Sequence, residues 1–258
     1  MRLMKRILSA AAVLALSASL LVGCSSGTAS SVPVSASSAA ESTVSSVEET
    51  ASSAVDENEA AAAQLLNDLT GSYQELWPVI LADEYKQTWL DDCTALVGED
   101  NAEAAFEKLS SMVTGDVYGE DAVKAYANGG GAYFCGFINS LAILTFDGET
   151  STISGTDKDG NVLFSHTYHY IGMEPVRGLY EFQSDDADSG EFTYFFLAPD
   201  TSAETYHIEF RYGSDAEALS QYDTGEYAYW LASGISTDCD QTMIDNCIEL
   251  FCTENLAG

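Results

Sequence analysis

Six short segments rich in Tyr, Phe, Ile, Leu and Thr follow one another between residues 140 and 212, each closed by a turn signal. They cover 140–147, 150–155, 161–170, 178–184, 191–198 and 204–212. The breaks include Asp147-Gly148, Asp159-Gly160 and the stretch from Asp185 to Gly190. Aromatic and β-branched side chains in short runs suit a pleated, half-buried surface. Connections this tight join neighbouring strands in antiparallel order. Consecutive hairpins leave two exposed edges unless the sheet closes, and an up-and-down barrel removes both. The pattern predicts an α+β chain, mainly β, built on an antiparallel barrel or a strongly curved sheet.

Helical patterns flank these strands. Asn58 to Asn67 is an Ala-rich run that reads as a helix, and 69–77 reads as a strand or a turn into one, ended by Pro78. Helices are expected at 83–97 and 102–113, where Trp89, Leu90, Leu96, Phe106, Leu109 and Met112 recur at helical spacing. A short helix covers 119–127, and Gly129-Gly130-Gly131 then breaks the chain. After Gly213 the chain returns to helix, most clearly from Asp240 to Cys252. The sum is a barrel with a helical insert and a C-terminal helix, and 14 Tyr with 11 Phe give it ample material for one core.

The first residues carry different information. Arg2, Lys5 and Arg6 precede an apolar run from Ile7 to Val22, which small Gly23 and then Cys24 close. That order is how an export signal is built. It resembles the lipobox of bacterial lipoproteins, which implies cleavage after Gly23, acylation of the Cys24 thiol, and a lipid anchor on the extracytoplasmic face of the cell membrane. The apolar run is short for a span of about 20 residues. Residues 24–57 lack aromatics and are rich in Ser, Ala and Glu, so they read as a disordered tether that reaches roughly 30 Å. The expected organisation is a signal peptide over 1–23, the tether over 24–57 and a folded domain over 58–258.

The chain has 9 basic residues against 41 acidic ones, a formal net charge of -32 at pH 7. That charge repels nucleic acid and anionic lipid, so contact with the membrane runs through the anchor alone. It attracts cations, mostly as a solvated acidic face. No Gly-x-Ser-x-Gly elbow, Walker A loop or C-x-x-C pair occurs. Asp157-Lys158-Asp159-Gly160-Asn161 reads as a hairpin turn and not as a calcium loop. These exclusions favour a binding protein over an enzyme. Five cysteines follow Cys24: Cys93, Cys135, Cys239, Cys247 and Cys252. The number is odd, so at least one stays unpaired if the others bridge.

A family resemblance joins these pieces. Leu66-Asn67-Asp68-Leu69-Thr70-Gly71-Ser72-Tyr73-Gln74-Glu75-Leu76-Trp77-Pro78 resembles the opening of the ZinT (YodA) domain. The resemblance continues at Tyr168-x-Tyr170-x-Gly172, Val176-Arg177-x-Leu179-Tyr180-Glu181-Phe182, Leu197-Ala198-Pro199 and His207-Ile208-Glu209-Phe210. It implies a calycin- or lipocalin-like barrel in an exported protein that binds Zn2+ and serves its capture or delivery to a metal ABC importer. In that family a His before the apolar-apolar-Ala-Pro segment joins a His-x-His pair on the next strand. Here those positions are Phe195, His207 and Glu209. Glu is an acceptable oxygen ligand, whereas Phe195 binds no metal. His169 is the candidate to complete the set. His166, three residues before it, falls on the opposite face if both lie on a strand. The alternative function is the same barrel with a degenerate metal site, binding a small apolar ligand or a surface partner.

Overall fold

Eight antiparallel strands pair in sequence order, and the last returns to the first: β1 (Gly71–Glu75), β2 (Ile143–Asp147), β3 (Thr152–Thr156), β4 (Val162–Met173), β5 (Tyr180–Ser184), β6 (Tyr194–Leu197), β7 (His207–Gly213) and β8 (Ala232–Ser236). The barrel is closed, so among the described residues its strands leave no open edge. The computed structural model describes residues 57–127, 129–198 and 207–257. Cys24, the signal and most of the tether lie outside them. Among the described residues no helix is long and apolar enough to cross a membrane.

Period-two alternation drives the inward-facing side chains together. Leu144 and Phe146 of β2, Phe164 and Tyr168 of β4, Phe182 of β5, Phe195 of β6 and Ile208, Phe210 and Tyr212 of β7 share one buried cluster. Phe195 stacks at ring-centroid distances of 5.8 Å from Phe164, 6.4 Å from Phe210 and 5.3 Å from Tyr212. A helix over 57–68, α1, adds Ala62, Leu65 and Leu66, and Leu69 follows them into the same cluster. That i, i+3, i+4, i+7 stripe is why this Ala-rich run folds as a helix against the barrel.

A second apolar layer covers the outer face of β8. It is built from α2 (Trp77–Ile80), α3 (Lys86–Val97), α4 (Glu99–Val113) and the C-terminal helix. Ile80, Trp89, Leu109 and Ile248 are fully buried there together with Ile235 of β8. Leu96 and Met112, which recur at helical spacing with Trp89 and Leu109, lie on the exposed side. The short helix α5 spans Glu120–Ala125 and ends before the glycine run. The chain then plugs the barrel. Phe137 meets Phe210 edge to face at 5.2 Å, and Glu75 Oε1 accepts a hydrogen bond from Phe137 N at 2.6 Å. The Tyr212 hydroxyl accepts from Ile138 N and donates to Ile138 O.

The structure corrects the reading that the chain returns to helix after Gly213. After the short helix α6 (Ala216–Leu219) comes β8, which closes the barrel. Its sequence, Ala-Ser-Gly-Ile-Ser, has little β preference because its inward positions face bulky partners: Ala232 pairs with Phe210 and Gly234 with Ile208. A Cβ at Gly234 would lie 3.0 Å from Ile208 Cγ1. The final helix, α7 (Gln241–Leu256), begins at Asp240, whose side chain accepts from Met243 N.

Between β7 and β8 the chain is strapped to the wall by Arg211. This side chain is fully buried. Its guanidinium donates to the carbonyls of Leu219, Gln221 and Tyr227, and it lies 4.3 Å from the Tyr222 ring centroid. Carbonyl dipoles and an aromatic face thus replace the carboxylate that usually accompanies a buried cation. Arg211→Met is expected to lower stability by about 3 kcal/mol, since three buried carbonyls lose their donor. Arg211→Lys is expected to recover only a minor part, because an ammonium lacks the fork. Urea denaturation measures both, and an unchanged midpoint would mean the strap is not structural.

Candidate metal-binding site

The outward face of β7 carries the two sequence-predicted ligands. Ile208 and Phe210 point into the barrel, so His207 and Glu209 point out of it, toward α7. There they line a cavity of about 30 Å³ with Leu76, Trp77 and Ile80 on one side and Cys247, Leu250, Phe251 and Glu254 of α7 on the other. That space holds one water or one small ion. The four α7 residues recur at i, i+3, i+4 and i+7, a single stripe along the helix, with Glu254 beyond the expected helix end at Cys252. Glu254 and Cys247 are the donors that sequence reasoning missed.

Electrostatics around this cavity are set by burial and by Glu209. Burial pushes the Cys247 thiol up to about 12, and the Glu209 carboxylate adds to the shift. Cys135 is likewise raised to about 12, first by burial and then by Glu209. Both thiols therefore stay protonated at neutral pH.

The other candidates lie elsewhere. His169 faces solvent on β4, three strands around the barrel from β7, and its Nδ1 lies 2.7 Å from Asp185 Oδ1. The structure does not bring it to His207 and Glu209. His166 sits on the other face of β4, stacked against Phe164 at 5.9 Å, with Nδ1 2.6 Å from Asp186 Oδ2. Phe195 fills the barrel interior, across the wall from His207 and Glu209. Among the described residues no three His, Cys, Asp or Glu side chains are gathered closely enough to hold a metal ion. What the wall offers is a strand-borne imidazole and carboxylate facing a helix-borne carboxylate and thiol across one small space.

A second, larger cavity of about 330 Å³ opens between α2, the end of α4 and residues 134–136. Trp77, Pro78, Leu81, Val113 and Phe134 make it mainly apolar, with the Glu75 carboxylate at one side. The indole N–H of Trp77 is buried without a hydrogen-bond partner.

No family model matches the chain. No curated protein matches it in sequence. The solved structures it is similar to include two from one protein. The Zn(II)-bound ZinT-like domain of Streptococcus pneumoniae AdcA shares 16% identity at a TM-score of 0.45, over 71% of this chain and 89% of that one. Zn(II)-bound AdcA from Streptococcus pneumoniae shares 17% identity at a TM-score of 0.41, over 72% of this chain and 35% of that one.

Two predictions follow from this geometry. Phe195→His places an imidazole among Phe164, Phe210 and Tyr212, so it is expected to cost about 3 kcal/mol in urea denaturation. It is expected to leave zinc affinity unchanged in a metal titration. The alkaline limb of stability is the second. Cys135 and Cys247 are raised from 9.0 to about 12, so their contribution is complete below pH 9 and disappears as pH rises toward 12. Tyr73, Tyr222 and Tyr227, raised from 10.0 to about 12, add to the same loss. The urea midpoint is expected to fall between pH 9 and 12, and less steeply in the Cys135→Ala/Cys247→Ala variant.

Proposed function

We propose that this chain is an extracytoplasmic lipoprotein of the ZinT type, anchored through Cys24, whose domain takes up a divalent metal between β7 and α7. Zinc is the cargo, for capture or delivery to a metal importer. The observation that carries the reading is the shared cavity lined by His207, Glu209, Glu254 and Cys247. An imidazole with two carboxylates suits a borderline ion such as zinc better than calcium or magnesium, which prefer all-oxygen shells. The resemblance at His207-Ile208-Glu209-Phe210 supports the same choice.

The donors line one small space from two elements, and no three of them are gathered closely enough to hold a metal ion among the described residues. A weak, loosely gathered site releases its ion readily, which suits handover. The acidic surface raises the local concentration of cations around it. Such a module binds and passes on its cargo and needs no reaction chemistry. A second reading has its own support: the apolar cavity beside Trp77 has the size of a small-molecule site.

Zinc titration calorimetry on the metal-stripped protein tests the proposal. Binding is expected at one ion per chain, weakened about tenfold or more by His207→Ala and by Glu254→Gln. Weak, multi-site heat that neither substitution changes would contradict it and leave the apolar cavity as the better candidate.

A further inference from the structure

Two cysteines far apart in sequence meet where α3 packs on α7. Cys93 and Cys252 are both fully buried, and their Sγ atoms stand 3.9 Å apart. Each lies on the apolar stripe of its helix, Cys93 one turn beyond Trp89 and Cys252 one turn beyond Ile248. A disulfide needs sulfurs about 2 Å apart and side chains that point at each other. Here the side chains converge, and each sulfur has about 1 Å to travel. Cys135 is turned elsewhere, toward the Tyr133 carbonyl.

We infer that Cys93 and Cys252 are a cross-linking site: when the chain folds in the presence of a disulfide oxidant they form a bond that staples α7 to α3. The oxidant is a small-molecule or protein disulfide, RSSR. One cysteine thiolate attacks it, giving a mixed disulfide and one RS⁻. The second thiolate attacks the cysteine sulfur of that mixed disulfide and expels the other RS⁻. Two protons from the cysteines convert these to two RSH, so the pair loses two electrons and the oxidant gains them.

The bond joins residues 159 positions apart, so it removes much of the freedom of the unfolded chain. It also fixes the helix that carries Cys247, Leu250, Phe251 and Glu254. Any effect on metal uptake rests on the proposed function; the cross-link itself does not. Both sulfurs are fully buried in the folded protein, out of reach of an oxidant, so the bond forms during folding.

The test is refolding of the full chain carrying Cys24→Ser, from denaturant, under a glutathione redox buffer and in parallel under excess dithiothreitol. Free thiols are alkylated and the peptides mapped by mass. Expected is a Cys93–Cys252 peptide pair lighter by about 2 Da than its reduced halves, with Cys135, Cys239 and Cys247 alkylated. The oxidised form is expected to melt about 5 °C or more above the reduced one, a shift lost in Cys93→Ala and in Cys252→Ala. Should either variant fail to fold, the mapping of the parent chain decides. Alkylation of both Cys93 and Cys252 after oxidative refolding, or their linkage to other cysteines, would overturn the inference and leave two small side chains packed in a helical core.

Discussion

Strand β7 separates two chemistries, and most of the molecule depends on that alternation. Ile208, Phe210 and Tyr212 face inward and bind the aromatic core together. His207, Glu209 and Arg211 face outward. A slip of one residue in register would put an imidazole, a carboxylate and a guanidinium into the barrel and three apolar side chains outside it. The register is held on both sides, by the pairing of Phe195 with Tyr212 and of Ile208 with Gly234. The outward residues then divide the wall between them. Arg211 gathers the 219–227 segment, while His207 and Glu209 meet the helical layer.

This division moves the candidate site. The family resemblance implies ligands that converge in a barrel mouth, yet in this chain the corresponding strand positions look to opposite sides of the wall. The interior position is Phe195, packed among rings. The outer positions acquire new neighbours from α7, which only the folded chain brings to them. The proposed cargo site lies between wall and helix, and the same helix carries the buried Cys252 beside Cys93.

Much of the fold was legible in the sequence. The meander was visible because aromatic runs alternated with Asp-Gly turns, and β2 to β7 fall within or close to the segments those signals marked out. The helices α3 and α4 were legible from their apolar stripes and α1 from its Ala-rich run, whereas the short α2 at Trp77–Ile80 falls where Pro78 reads as the end of a strand or turn. β8 was not, because a closing strand opposite Ile208 and Phe210 must be small, and small residues carry no strand signal. In the candidate site, His207 and Glu209 were marked out by the family resemblance, and their i, i+2 spacing put them on one face of the strand. Which face they occupy was not, since alternation alone does not say which side of a strand meets the core when both sides are covered. Glu254 and Cys247 were hidden for another reason: their relation to β7 is tertiary. His166 and His169 kept the opposite faces that their spacing required.

The account stands on a metal lying outside the barrel wall, between β7 and α7. Anomalous diffraction at the zinc edge, from crystals of the protein grown with one equivalent of zinc, locates it directly. The account predicts a single strong peak beside His207, within bonding reach of Glu209 and Glu254. A peak inside the barrel, or peaks confined to scattered surface carboxylates, would contradict it.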